Sequence, residues 1–380
     1  MTTDFVLELL EKIDVRINGD RPWDIQAHHD GLLERCIREG SLGFGESYME
    51  GWWDCEALDQ LFVRILRGGL EDMFTHNLAT LLTVLAYRLR NLQSVARAFQ
   101  VGREHYDLGN EIFEAMLDPN MQYSCGWWDG AANLAEAQVL KMELIARKLM
   151  LSPGMKVLDV GCGWGGLGRY LARWHGVEVT GITVSKEQAA YAQAHSGTLP
   201  VHWLLEDYRD LTGHYDRIVS VGMFEHVGHK NYATFMTKMR ELIAPDGVFL
   251  LHTIGSNMHK ISVDPWTRRY IFPNGMLPSA RAIAKSIERR FVLEDWHSFG
   301  EYYARTLMAW EENFRLGAEK GLFSVPEKIY RMFRYYLLSC AGAFRARDIQ
   351  LWQIALTPTG MRGGYHRPGL ADFDPAPRLR

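Results

Sequence analysis

The sequence predicts an α/β protein built on a doubly wound, mostly parallel sheet, preceded by a small, mainly helical unit. Three observations carry this. Residues 157–166 read VLDVGCGWGG, a buried strand that runs straight into a turn crowded with Gly161, Gly163, Gly165 and Gly166. From residue 156 to residue 252, strand-length apolar runs alternate with helix-length patterns, the order that produces a parallel sheet. Before about residue 100 that alternation is missing, and helical periodicity dominates.

At the amino end, residues 5–13 read as a helix, 15–17 as a short strand and Asn18-Gly19-Asp20 as a turn. Residues 42–55, LGFGESYMEGWWDC, read as a helix with a tight entry. Farther on, Leu78, Leu81, Leu82, Leu85, Leu89 and Leu92 recur at three- and four-residue steps and make one apolar face. Arg64, Arg67, Arg88, Arg90 and Arg97 are opposed there only by Glu71 and Asp72. Such a stretch serves either as a core-facing leucine stripe with solvated arginines or as a surface element on an anionic membrane. The first domain is taken as residues 1–100 and the second as 101–380.

The second domain opens its regular part with a helix over 133–149, which starts at an Asn133 cap and stops before Ser152-Pro153-Gly154. Strands follow at 156–160, 177–182, 201–205, 216–221 and 247–252, with helices at 165–175, 185–195 and 230–243. Residues 257–345 read as mostly helical, a cover for the sheet end, and a last strand falls near 349–356. Residues 357–380 are rich in Pro, Gly and Arg and are expected to form a disordered tail.

The glycine turn lets the backbone approach a ligand where a Cβ would collide. In a doubly wound fold, that is how a cofactor site is made at the carboxyl end of the first strand. The spacing of Gly161, Gly163 and Gly166 also occurs in nicotinamide enzymes, with an acid about 20 residues on. Here that acid, Glu178, lies inside the next strand. Asp159 instead precedes the turn in a D-x-G-x-G-x-G order that resembles S-adenosylmethionine (SAM) methyltransferases. After the second strand, Thr183 and Gln188 offer hydrogen bonds to ribose hydroxyls. Asp207 and Tyr208, after the third strand, stand where an adenine would be held, with Arg209 and its neighbours read as surface. The plain alternative is a glycine turn used only for packing a helix on a strand.

Composition narrows the function. A formal net charge of −4 gives no global attraction to nucleic acid or anionic lipid. There is no clustered Lys/Arg run of the kind phosphate binding needs, so nucleic acid is disfavoured as a partner. Five cysteines without CxxC or zinc spacing predict no metal site and a reducing, cytoplasmic setting. The first residues do not read as a signal peptide, and no apolar run reaches the roughly 18 residues of a membrane span. A lipid substrate would therefore be reached from the water side.

Longer phrases are more specific than the glycine turn. LGFGESYMEGWW, VGREHYDLGNEIFEAMLDPNMQYSC, VGMFEHVG, LLHTIG, VDPWTRRYIFPNG and CAGAFRARDIQLWQ occur in this order along the chain. On them the chain resembles the bacterial cyclopropane-fatty-acyl-phospholipid synthases over nearly its whole length. The mycobacterial mycolic-acid cyclopropane synthases resemble only its catalytic part.

The resemblance implies a SAM-dependent methyltransferase fold, Rossmann-like and seven-stranded, with a helical cover. It implies an unsaturated acyl chain of a membrane phospholipid as substrate. The cis double bond attacks the methyl carbon of SAM, a carbocation forms, a proton leaves the new methyl group and the ring closes. The base implied is a bound bicarbonate, held by backbone amides of Cys125 and Ile254 and by side chains of Glu225, His252 and Tyr303. Phe224, Tyr270, Tyr303 and Trp310 are the expected π-faces for the cation. Tyr123, Ser124, Gly161 and Gly163 are expected at the methionyl end of SAM, Thr183 and Gln188 at the ribose, and Asp207 and Tyr208 at the adenine. A homodimer, peripheral and transient on the inner face of the cell membrane, is also implied. Two other readings stand beside this one: a methyltransferase that stops at a methylated product, and a membrane-binding module with a vestigial site.

Overall fold

The computed structural model describes residues 2–70, 109–258, 264–273 and 275–379. The chain opens with α1 (Thr3–Lys12), whose first turn is capped by the Thr2 hydroxyl accepting from the Phe5 amide. Strand β1 (Gln26–Ala27) pairs antiparallel with β2 (Trp53–Asp54). Between them lies α2 (Leu32–Met49), broken at Gly40, and after them α3 (Leu58–Arg67). The strand expected at 15–17 is reduced to one bridge between Ile17 and Ile25. The leucine face from Leu78 to Leu92, with Arg88, Arg90 and Arg97, lies outside the described residues. Arg64 lies over the Trp23 ring at 3.6 Å, and Arg67 donates to the Arg345 carbonyl. Both arginines are thus engaged by their own fold.

The rest runs α4 (Asn110–Met116), α5 (Leu134–Lys148), β3 (Lys156–Val160), α6 (Gly166–His175), β4 (Glu178–Thr183), α7 (Lys186–Ala194), β5 (Val201–Leu205) and β6 (Tyr215–Val221). Then come α8 (Tyr232–Leu242), β7 (Ile243–Ser256), α9 (Pro265–Tyr270), α10 (Ala280–Ile287), β8 (Val292–Ser298), α11 (Glu301–Glu319), α12 (Glu327–Ala346) and β9 (Ile349–Thr357). The seven-stranded sheet has the order β5-β4-β3-β6-β7-β9-β8. Its pairs are parallel from β5 to β7, and β9 runs antiparallel to both its neighbours. Both faces are apolar, as a covered parallel sheet requires. Val157, Val179, Val219, Val248 and Leu250 pack toward α5 and α6. Leu158, Val160, Ile218, Phe249 and Leu251 pack toward α8 and α10.

The structure corrects three expectations. β7 does not end at His252 but continues to Ser256, because β9 offers it a partner beyond the point where β6 stops. The block read as mostly helical contains β8, an edge strand whose Val292 and Leu293 are exposed, so the alternation that marks a half-buried strand is absent. The supposed disordered tail is pinned down. The Tyr365 hydroxyl donates to the Lys148 carbonyl at 2.9 Å, and Arg367 pairs with Asp295. Arg378 donates to Glu143 at 2.7 Å and to the Tyr170 hydroxyl at 2.8 Å.

Glu143 gathers this end of the molecule. It also accepts from Arg147 at 3.0 Å and sits 3.1 Å from His175 Nε2. Burial pushes its pKa up, but the hydrogen bonds from His175 and Arg147 and the charge of Arg378 outweigh that and hold it at about 2. A carboxyl held below its ordinary 4.5 stabilises the fold fully above that value, and the contribution is lost as pH falls toward about 2. Glu143→Gln is therefore expected to lower stability by on the order of 2 kcal/mol at neutral pH. In thermal melts the gap from the parent should close between pH 4.5 and about 2.

Candidate active site

In the sheet order β3 is the switch strand, with β4 on one side and β6 on the other. The crevice beyond its carboxyl end is where a doubly wound sheet binds ligands. The turn there is shaped by two glycines. Gly161 has φ +87°, and a Cβ on it would stand 2.7 Å from the Met223 side chain. Gly163 has φ +55°, and its missing Cβ would point into open space. Beside them Asp159 is buried, and its Oδ2 has no hydrogen-bond partner among the described residues. Burial pushes this carboxyl up to about 7, against the pull of Lys141. An open backbone cradle with a buried, unmatched acceptor fits a ligand that carries an ammonium or sulfonium group, as SAM does.

The other expected cofactor residues are held around this cradle. Lys141 of α5 donates to Gln122 Oε1 and, at 2.9 Å, to Ser124 Oγ. Gln138 Nε2 donates to the Ser124 carbonyl at 2.8 Å. The Tyr123 hydroxyl meets that of Tyr336 at 3.1 Å. Thr183 donates its hydroxyl to Gln188 Oε1 at 2.9 Å, which leaves the Gln188 –NH2 as the donating end. Asp207 is gripped by Arg209 through its backbone amide, Nε and an Nη. Arg209, expected at the surface, is thus a structural partner of Asp207. Tyr208 is buried edge-on to Phe235 at 5.1 Å, with the Arg209 guanidinium over its ring.

A second group lies at the ends of β6 and β7. Glu225, in the short turn of helix after β6, accepts the Ile254 amide on Oε1 at 2.7 Å. Its Oε2 is buried and has no partner among the described residues. Burial pushes Glu225 up to about 7, only partly opposed by that amide. Burial also drives His252 well below the ordinary imidazole range, so the ring is neutral. Its Nδ1 is 3.1 Å from Gln353 Nε2, and its Nε2 has no partner among the described residues. His252 and Ile254 are two apart on β7 and so share a face.

Tyr303 of α11 is driven well above the ordinary phenol range by burial and by the nearby Cys125 and Glu225. Cys125 is fully buried, and burial pushes its thiol well up, so it stays protonated. Its loop is tied to α11 by Thr306, whose hydroxyl accepts from the Gly126 amide at 3.0 Å and Trp128 Nε1 at 2.9 Å. Cys125, Glu225, Ile254 and Tyr303 are therefore brought together, with His252 on the adjoining register.

The expected π-faces separate. Tyr303 stacks on Phe344 and stands edge-on to Trp310, which packs on Tyr123. Tyr270 hydrogen-bonds Glu46 and packs on Trp266. Phe224 is instead a core residue, stacked on Tyr232 at 4.3 Å and fully buried with Phe235. Its place one residue before Glu225 turns it to the α8 side of the sheet.

Sequence reading missed Lys141, Lys148, Thr306, His297 and Gln353. Lys148 is fully buried, with Nζ 2.8 Å from Gln353 Oε1 and 2.9 Å from His297 Nδ1. A lysine in the last turn of a helix normally reads as solvated and favourable to the helix dipole. The only available signal was positional: Lys141 and Lys148 fall seven apart, on one face of α5.

The chain is similar to known proteins over most of its length. The profile of the mycolic acid cyclopropane synthetase family matches residues 93–354. The cyclopropane-fatty-acyl-phospholipid synthase of Escherichia coli (strain K12) is 53% identical over 350 residues, 92% of each chain. Among solved structures, the cyclopropane synthase MmaA2 from Mycobacterium tuberculosis aligns with TM-score 0.63 and 34% identity, covering 68% of this chain and 97% of its own. Mycolic acid cyclopropane synthase CmaA1, solved with SAH and CTAB, aligns with TM-score 0.62 and 35% identity over 68% of this chain and 97% of its own. The switch-point cradle, the buried Glu225–Ile254 pair and these matches lead to one conclusion: the chain belongs to the mycolic acid cyclopropane synthetase family.

Proposed function

We propose that this chain is a cyclopropane-fatty-acyl-phospholipid synthase. The reaction moves the methyl carbon of SAM to a cis double bond of a phospholipid acyl chain, removes a proton from that carbon and closes the ring. The observation that supports it best is similarity to the Escherichia coli enzyme over 92% of both chains, the amino-terminal region included. On this reading Tyr123, Ser124, Gly161 and Gly163 hold the methionyl end of SAM, Thr183 and Gln188 its ribose, and Asp207 and Tyr208 its adenine. When bound, SAM supplies the electrophilic methyl group. The alkene is a weak nucleophile, so orientation in a dry pocket carries much of the acceleration. Tyr303 and Trp310 offer π-faces to the developing cation.

The base on this reading is bicarbonate, bound by the Cys125 and Ile254 amides and by Glu225, His252 and Tyr303. A carboxylate beside an anion is repulsive unless a proton lies between them. The unmatched Glu225 Oε2 supplies the place for it, accepting the O–H of bicarbonate. Membrane contact and dimerisation are assigned to the amino-terminal domain. On this reading contact with the cytoplasmic face is peripheral; no helix among the described residues is long and apolar enough to cross a membrane.

Purified protein with SAM and vesicles of cis-monounsaturated phospholipid is expected to yield acyl chains heavier by one methylene. They should resist hydrogenation that reduces alkenes and form faster with added bicarbonate. A hydrogenation-sensitive methylated product would point to a methyltransferase that does not close the ring.

Glu225→Gln is expected to lower turnover at least about tenfold by removing the acceptor. It also has a signature in the ligand-free protein. A carboxyl raised above its ordinary 4.5 favours the fold at low pH, and that advantage is lost as pH rises to about 7. Melting curves should show the variant gaining on the parent across that interval. Cys125→Ser should keep most of the parent turnover, because the buried thiol remains protonated and only its amide is used. Loss of a covalent nucleophile would instead cost several orders of magnitude in the same assay.

A further inference from the structure

Gln353 lies directly opposite His252 across the β7–β9 pair and directly opposite His297 across the β9–β8 pair. Residues opposite one another in antiparallel strands share a face. The three side chains therefore form one polar row over three strands, and Lys148 comes down on it from α5. We infer that Lys148 and Gln353 are positioning residues that lock His252 as the Nε2–H tautomer, with Nε2 presented as a hydrogen-bond donor to an anion in the active site.

The logic runs atom by atom. Lys148 Nζ carries hydrogens and stands 2.8 Å from Gln353 Oε1, so the amide turns its oxygen to the lysine. That leaves the –NH2 end toward His252, with Nε2 3.1 Å from Nδ1. An amide nitrogen only donates, so Nδ1 must be the accepting, unprotonated nitrogen. The one ring proton of a neutral imidazole then sits on Nε2, the buried atom without a partner among the described residues. His297 completes the arrangement by accepting from Lys148 at 2.9 Å, so that the lysine has a partner on each side of the row. Neither Lys148 nor Gln353 is exposed, so water does not compete for these contacts.

The lock is a property of the protein alone, while its use for anion binding rests on the bicarbonate reading above. The test separates the two. Full-length protein labelled with 15N-histidine is recorded by long-range 1H–15N correlation, which distinguishes Nδ1 from Nε2 protonation. The parent is expected to show His252 protonated at Nε2 only. Lys148→Met frees the amide to turn over and should populate the Nδ1–H form. Gln353→Glu offers Nδ1 an acceptor alone and should protonate Nδ1. Binding of S-adenosylhomocysteine to each variant checks that the fold is intact.

In turnover assays Lys148→Met should raise the bicarbonate concentration for half-maximal rate about tenfold. Its KM for SAM should stay within about twofold, since the cofactor residues are untouched. A parent already protonated at Nδ1, or a tautomer unmoved in both folded variants, overturns the lock. A tautomer that shifts as expected in an enzyme indifferent to bicarbonate upholds the lock and removes the anion reading instead.

Discussion

Two lysines of one helix are taken wholly out of water, and the site is arranged around that burden. Lys141 and Lys148 lie seven residues apart on α5, hence on one face and about 10 Å apart along its axis. A buried ammonium is tolerated only where hydrogen bonds replace its hydration. Burial still pulls Lys141 to about 8 and Lys148 to about 7. Each lysine therefore fixes whatever it touches. Lys141 holds Gln122 and Ser124, and with them the loop expected at the methionyl end of SAM. Lys148 holds Gln353, and through it the ring of His252. One helix face thus fixes both the loop of Gln122 and Ser124 and, through Gln353, the ring of His252.

The part of this arrangement legible in the sequence is the part governed by local rules. The glycine turn after β3, the Asn133 cap of α5 and the apolar parallel strands are each written in a short window. Glu225, His252 and Tyr303 were reached through the resemblance of whole phrases, since a lone buried histidine or tyrosine carries no chemical signal. The polar row was out of reach for a different reason. It depends on the register of β9 between β7 and β8, and β8 lacks the alternation that would reveal it. Without β8 there is no place for His297, and without the register Gln353 is one more glutamine in an apolar strand. The ordered carboxyl end was hidden in the same way: Tyr365, Arg367 and Arg378 each find partners far away in sequence.

The amino-terminal unit is joined to the cover over the site by charge as well as by packing. Arg331 of α12 donates to the Tyr48 and Trp53 carbonyls and pairs with Asp54, and Arg345 of the same helix pairs with Asp59. The Tyr335 ring sits among Phe44, Tyr48, Trp53, Phe62 and Trp266. The next residue, Tyr336, faces the other way and meets Tyr123. Consecutive residues of one helix therefore touch the amino-terminal core and the expected cofactor loop.

The same economy explains why the lysines stand behind the site rather than in it. On the proposed reaction the substrate chain becomes a cation, and a fixed ammonium within a few ångströms of it would raise the barrier through like-charge repulsion in a dry pocket. An anion in the same pocket nevertheless needs donors. Passing the polarity of Lys148 through a neutral amide and a neutral imidazole resolves the conflict, because what reaches the pocket is an oriented N–H dipole and not a net charge. Cys125 and Tyr303 complete the pattern: burial keeps both in their uncharged forms. With Glu225 taking the O–H of the anion, the neutral, pre-oriented dipoles around it supply the remaining donors without setting a positive charge beside the developing cation.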